Sequence, residues 1–253
     1  MKSQIVLKNV CLDFPVYDAA SLSFRNKVSN MGKVIVTKTT KNNSGGKIIK
    51  GLRDISHIFN HGDRVALLGH NGSGKTTLLK LLAGIYSPTS GSIQKTGETN
   101  CMLDIGFGFE QDATGYENII LSNITRGLTK EQVDKILPEI VEFCGLGEFL
   151  NMPFRTYSSG MQARLAFSSA IANTPGILLI DEFFSTGDLE FSKKSKKKVL
   201  EMMSNSSILV FASHDMPLLK SICNKAICMQ NGKVIYSGET LEAIEYYQGI
   251  YEK

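Results

Sequence analysis

Eight consecutive residues, Gly69-His70-Asn71-Gly72-Ser73-Gly74-Lys75-Thr76, follow the pattern G-x-x-x-x-G-K-T. Their types suit one task, holding a row of phosphates. Glycines let successive backbone N–H groups turn inward with no Cβ in the way. Lys75 can reach the β- and γ-phosphates, the Thr76 hydroxyl can ligate Mg²⁺, and Thr77 completes the nucleotide-binding set. The flanks agree. Arg64-Val-Ala-Leu-Leu68 reads as a strand and Thr76-Thr-Leu-Leu-Lys-Leu-Leu-Ala83 as a helix. The loop therefore lies at a helix N-terminus, where an anion is favoured.

Three further segments could complete the chemistry. Gly176-Ile-Leu-Leu-Ile180 is a buried-strand run that ends in Asp181-Glu182. The carboxyl ends of such strands are where α/β sheets place ligands. Asp181 would hold Mg²⁺, directly or through water, and Glu182 would orient and deprotonate an attacking water. A second strand-like run, Ser207-Ile-Leu-Val-Phe-Ala212, leads into Ser213-His214-Asp215, which places His214 within reach of a γ-phosphate. In Tyr157-Ser-Ser-Gly-Met-Gln-Ala-Arg-Leu-Ala-Phe167, Ser158 or Ser159 can cap a helix whose N-terminus faces an anion, followed by Gly160 and Met161.

The elements that must position these residues fit one domain, 1–253. Residues 1–105 read as β-rich and then helical. A helical lobe spans 107–172, including the helical runs Thr129–Ile136 and Glu139–Phe143. Residues 173–240 return to strands and helices of the core, and 241–253 read as a closing helix. At 253 residues the chain can bury a substantial core. A net charge of +4 is too mild to argue for nucleic acid. No apolar run approaches the ~20 residues that cross a bilayer, and residues 1–9 lack an apolar core of signal-peptide length, so a cytoplasmic location is expected. The five cysteines (Cys11, Cys101, Cys144, Cys223 and Cys228) have no C-x-x-C spacing and are expected as reduced structural thiols. Ser192–Lys198, the dense lysine run, is expected as a solvated helix face. Between Asp18 and Lys50, the spacing of Ala20, Phe24, Val28 and Met31 after Tyr17 suggests a helix, packed on the core or lying at a membrane surface. A flexible loop at Lys41–Lys47 follows it.

The phosphate loop, the Asp181-Glu182 strand and the Tyr157-Ser158-Ser159-Gly160-Met161 turn together resemble the ABC-transporter ATPase family. The signature loop of that family typically reads Leu-Ser-Gly-Gly-Gln; here the second glycine is kept and the first is serine. Phe14-Pro-Val-Tyr17, Ser213-His-Asp215 and the run from Phe149-Leu150 into Pro153-Phe-Arg-Thr-Tyr157 are similar to the polysaccharide-exporter subfamily. O-antigen exporter ATPases are nearest, with capsule and teichoic-acid exporters close behind.

The resemblance implies an α/β fold: a P-loop nucleotide triphosphatase core with a mostly parallel sheet, an antiparallel β subdomain and an inserted α-helical lobe. It implies ATP and Mg²⁺ as cofactors and a head-to-tail homodimer. In that dimer Ser158, Ser159, Gly160 and Met161 act in trans at the partner's phosphate loop. Asp188 would join the two sites, His214 would be the switch histidine, and Phe14 or Tyr17 would stack on adenine, with Phe14 better aligned. For the family's glutamine loop, chemistry favours Gln111 and alignment favours Glu110. An integral-membrane permease would be the partner and a lipid-linked polysaccharide the cargo, with no nucleic acid, at the cytoplasmic face of the inner membrane. The chain ends soon after the core, so recognition of the glycan's end group is expected elsewhere. A soluble ABC-type ATPase of iron–sulfur assembly or DNA repair is the rival reading; the absence of a long coiled-coil insertion and of a second tandem core weighs against its DNA-repair and translation-factor forms. Glu182 and His214 weigh against a non-hydrolysing sensor.

Overall fold

The computed structural model describes residues 2–16, 47–103, 106–172, 176–181 and 189–251. The helix and loop expected between residues 17 and 47, and with them Tyr17, lie outside the described residues, as do Glu182 and Asp188.

The centre is a six-stranded sheet in the order β5-β6-β7-β3-β8-β9. Its strands are β3 (Arg64–Leu68), β5 (Thr99–Met102), β6 (Ile177–Asp181), β7 (Ile208–Ala212), β8 (Lys225–Gln230) and β9 (Lys233–Glu239). The first five run parallel, and β9 pairs antiparallel with β8 at the edge. Continuous apolar runs build such a sheet because both faces are covered, and alternate residues go to different cores. Val65, Leu67, Leu179, Val210 and Ile227 pack with α1 (Lys75–Ala83) and with a three-stranded antiparallel sheet. That sheet has the order β2 (Lys47–Asn60), β1 (Gln4–Val16), β4 (Ser90–Thr96). Leu68, Leu178, Ile180, Leu209 and Phe211 pack on the other face. There they meet residues of the α-helices that follow β6, β7 and β9. These are α5 (Leu189–Asn205), α6 (Met216–Ile222) and α7 (Thr240–Tyr251).

The helical lobe holds α2 (Gly115–Thr125), α3 (Lys130–Cys144) and α4 (Ser159–Ile171) around their own core of Ile119, Ile140, Leu150, Phe154, Tyr157 and Leu165. Two capping boxes start it: Thr114 with Glu117 on α2, and Thr129 with Gln132 on α3. The two helical runs expected on either side of Pro138 form one helix, α3, with the proline inside. An interior proline costs about 3 kcal/mol; burial of Val133, Ile140 and Cys144 on one stripe holds the helix together across it.

The lysine run on α5 forms the expected solvated face, with Lys193, Lys194, Lys196 and Lys197 exposed. Lys194 lies 4.3 Å from the Phe143 ring centroid, and Lys198 pairs with Glu139 at 2.6 Å, so two of its lysines clamp α5 onto α3. Apolar stems and cationic heads can do this together.

Candidate functional site

The phosphate loop leaves the end of β3, the inner strand flanked by β7 and β8, and turns directly into α1. Gly74 sits at the helix N-cap with φ of 110°, a left-handed conformation natural to glycine, and no side chain caps the helix. No side-chain cap therefore occupies the N-terminus of α1, where a helix favours an anion. Lys75 folds back over the loop, its Nζ donating to Gly69 O at 2.6 Å and His70 O at 3.2 Å. His70 Nδ1 lies 2.6 Å from Asn71 O. Ser73 is fully buried beneath the loop.

Residues read separately from the sequence converge here. The Thr76 hydroxyl donates to Asp181 Oδ2 at 2.5 Å, across 105 positions of chain. The parallel order of β6, β7 and β3 brings their carboxyl ends side by side, which explains the meeting. His214 follows β7 and lines the same groove. Its neighbour Asp215 has a different duty, capping α6 through Leu218 N–H at 3.0 Å.

The groove has a volume of about 700 Å³. Lys75, Thr76, Thr77, Asp181 and His214 give it polar lining, and Phe14 and Ile49 give it apolar lining. Phe14 is braced by Tyr86, whose ring meets it edge-on at 5.3 Å. A hydroxyl and a carboxylate are hard oxygen donors of the kind Mg²⁺ takes. Mg²⁺ is commonly held by one or two carboxylates plus substrate phosphates. Among the described residues no cluster of three or more His, Cys, Asp or Glu could hold a metal without such help.

Four groove residues carry little sequence signal: Lys50, Gly51 and Arg53 of β2, and Leu103 after β5. Asn231 and Gly232 also line it, and their Asn-Gly dipeptide, a hairpin-turn signal, could have drawn attention. The signature residues Ser158, Ser159, Gly160 and Met161 are not among the described residues lining the groove, nor are Glu110 and Gln111. Ser158 is the cap of α4, accepting from Met161 N–H at 3.2 Å, while Ser159 is the first helical residue.

Both candidates for the glutamine loop lie in one tied segment. Buried Asn118 accepts from Glu110 N–H at 2.6 Å and donates to Glu110 O at 2.9 Å. Gln111 N–H donates to the Glu110 carboxylate at 3.0 Å, and Gln111 O accepts from Arg155 N–H at 2.9 Å. Asp112 pairs with Arg155, and a bridge joins Thr114 to Pro153. The segment after β5 is thus tied to the stretch that leads into α4.

Beside it, between β5 and the lobe, lies a cavity of about 340 Å³ lined by Ile85, Cys101, Phe107 and Leu128 among others. Burial pushes the Cys101 thiol up to about 11. Phe107, Leu121, Ile124 and Ile85 are exposed large apolar side chains.

A phosphate loop at the head of a parallel sheet, with a carboxylate from the neighbouring strand on its threonine, places the chain among the P-loop nucleoside triphosphatases. The comparisons narrow that class. The ABC transporter family profile matches residues 52–185. The chain is 41% identical over 237 residues to the O-antigen export system ATP-binding protein RfbE of Yersinia enterocolitica, covering 92% of this chain and 96% of that protein. It is 35% identical to the O-antigen export system ATP-binding protein RfbB of Klebsiella pneumoniae, covering 98% of each. It is also 35% identical to the teichoic acids export ATP-binding protein TagH of Listeria innocua, covering 96% of this chain and 69% of that one. A solved ATP-binding subunit of an ABC transporter shares the fold with a TM-score of 0.66 at 19% identity, covering 97% of this chain and 93% of that one. So does a dimeric ATP-binding cassette in a post-hydrolysis state with ADP and Pi, at 0.63 and 21%, covering 93% of this chain and 98% of that one. The chain belongs to the ABC transporter family and is an ATP-binding, ATPase member of it.

Proposed function

We propose that this chain is the ATP-hydrolysing subunit of an exporter that moves lipid-linked O-antigen polysaccharide across the inner membrane, working from the cytoplasmic face. The observation that carries the motor role is the Thr76–Asp181 contact at the mouth of the phosphate loop. With Mg²⁺ bound there by Thr76 and Asp181, the ion would neutralise charge on the β- and γ-phosphates. Lys75 would leave the loop carbonyls for the γ-phosphate. Glu182 would take the proton of the attacking water, His214 would hold the γ-phosphate oxygens, and Phe14 would stack on adenine. The O-antigen assignment follows the names of the similar proteins from Yersinia and Klebsiella.

Two copies would act head to tail. Ser158 and Ser159 are exposed and lie outside the groove of their own chain, which supports a role at a partner's phosphates. Asp188 would join the two sites. A permease segment would dock at the cavity beside β5, whose neighbouring exposed Phe107, Leu121 and Ile124 form the kind of apolar patch a partner covers. Glu110 or Gln111, in the tied segment next to it, would report that docking to the site. Among the described residues no helix is long and apolar enough to cross a membrane, in keeping with a separate membrane-spanning partner.

The test is Glu182→Gln in the cell, with surface polysaccharide and retained lipid-linked polymer measured together. Loss from the surface with accumulation inside supports the exporter motor. Unchanged surface glycan in a stably expressed variant would sink it and leave a soluble ABC-type ATPase. Accumulation of a capsule or teichoic-acid precursor instead would reassign the cargo alone.

A further inference from the structure

The Asn231-Gly232 turn between β8 and β9 is a part of the groove wall with no chemistry of its own. Asn231 has φ of 49° and Gly232 of 75°, as in a two-residue hairpin turn whose twist matches its strands. Hairpin tips usually stand in solvent, yet Gly232 is buried, wedged between the phosphate loop and β2. Its N–H donates to Ser73 O at 2.9 Å, and its carbonyl accepts from Arg53 N–H at 2.8 Å. One residue is thus bonded to the phosphate loop on one side and to the antiparallel sheet on the other.

No side chain fits there. A Cβ on Gly232 would lie 2.5 Å from Gly51 O and 3.3 Å from Leu52 Cα, and backbone atoms cannot swing aside. Gly51 is constrained in turn, since a Cβ on it would lie 2.5 Å from Cε2 of the Phe14 ring. The contacts therefore run from Ser73 of the phosphate loop through the backbone of Gly232 and Gly51 to the ring of Phe14. Close-packed interiors transmit displacement rather than absorb it.

We infer that Gly232 is a positioning residue: it sets the spacing between the phosphate loop and Phe14, so that one nucleotide is gripped at both ends at once. The inference rests on the groove being the nucleotide site. A rigid two-ended grip is sensitive to its span, because a shift of about 1 Å can cost about a hundredfold where geometry must match.

The test separates the two ends of the ligand. Binding of MgATP and of magnesium tripolyphosphate, which carries the phosphates without adenosine, is measured on the full chain by calorimetry. Gly232→Ala is expected to lose about tenfold or more in MgATP affinity through its strained backbone, with tripolyphosphate affinity held and KM raised more than kcat falls. Asn231→Ala, which strains the same turn without the clash at Gly51, should move in the same direction by less, and it serves if Gly232→Ala does not fold. Equal losses for both ligands, or no loss in either variant, would overturn the spacing role while leaving the groove assignment intact. Wild-type protein that binds ATP no better than tripolyphosphate would overturn it too, since Phe14 would then hold no base. Wild-type protein that binds neither ligand would remove the groove assignment and the spacing role together.

Discussion

Two helices of this chain begin where phosphate chemistry is expected, and they begin differently. α1 starts after Gly74 with no side-chain cap, so its leading N–H groups have no partner from a capping side chain. α4 starts after Ser158, whose hydroxyl already accepts from Met161 N–H. A glycine in place of a side-chain cap costs a helix only about a few tenths of a kcal/mol, a small cost that leaves the phosphate loop's N–H groups to a ligand. The signature turn differs. Its serine cap is already made and both serines are exposed in one chain, in keeping with the proposed contact to the nucleotide of a second chain.

The largest expected effect comes from Lys75→Ala. ATP hydrolysis should fall about a hundredfold or more, and the rise in Tm that MgATP produces should vanish. An unchanged rise would mean that α1 does not hold the nucleotide. Ser158→Ala should separate the two termini. Hydrolysis falls about tenfold with MgATP affinity of the isolated chain unchanged, while loss of the cap lowers stability by about 1 kcal/mol. Ser158→Asp sharpens the distinction, since it keeps an acceptor for the cap but places charge where a partner's phosphate should arrive. Stability should recover and hydrolysis should not. If Ser158→Ala weakens nucleotide binding as Lys75→Ala does, the two termini do the same job and the contrast fails.

Asn118→Ala acts on the link between the termini. It leaves the Glu110 backbone without its bonds to the Asn118 side chain, and about 1–3 kcal/mol of stability should be lost. Thermal unfolding checks it, and a Tm that does not move would show that the segment before α2 is held by its contacts to Pro153, Phe154 and Arg155.

The smallest effect tests the antiparallel sheet. Burial holds the His57 pKa below 6.5, with Asp63 opposing and Lys225 adding to the shift, and Nε2 has no hydrogen-bond partner among the described residues. Below 6.5 the unfolded chain takes up the proton before the folded one does. The contribution is therefore complete above that pH and lost as the pH falls towards the lower folded-state value. Denaturant unfolding between pH 7 and 5 should show a shallower loss in His57→Gln than in wild type.

Much of the site could be read one segment at a time. The G-x-x-x-x-G-K-T run, the apolar strand ending in Asp181 and the strand before His214 each carry their meaning locally, because strand ends in a parallel sheet are marked by sequence alone. The meeting of Thr76 with Asp181 was implied by chemistry and placed by the strand order. The parts that resisted reading depend on distant packing. Nothing in the α5 lysine run shows that Lys194 and Lys198 meet Phe143 and Glu139 of α3, Pro138 looks like a break until its helix has a buried face, and nothing in Lys50 or Arg53 signals a groove.

The phosphate loop and its class of ligand are written in local residues, since the N–H groups that cradle phosphate come from a few adjacent residues whose backbone freedom is set by glycine. The runs that form the buried sheet are legible in the same way, because an unbroken apolar strand must be covered on both faces. How far the phosphate loop stands from Phe14 is a matter of packing. That distance is set by Gly232 touching Ser73 on one side and Gly51 on the other, and three segments so far apart in the chain meet only once the antiparallel sheet has packed on the core.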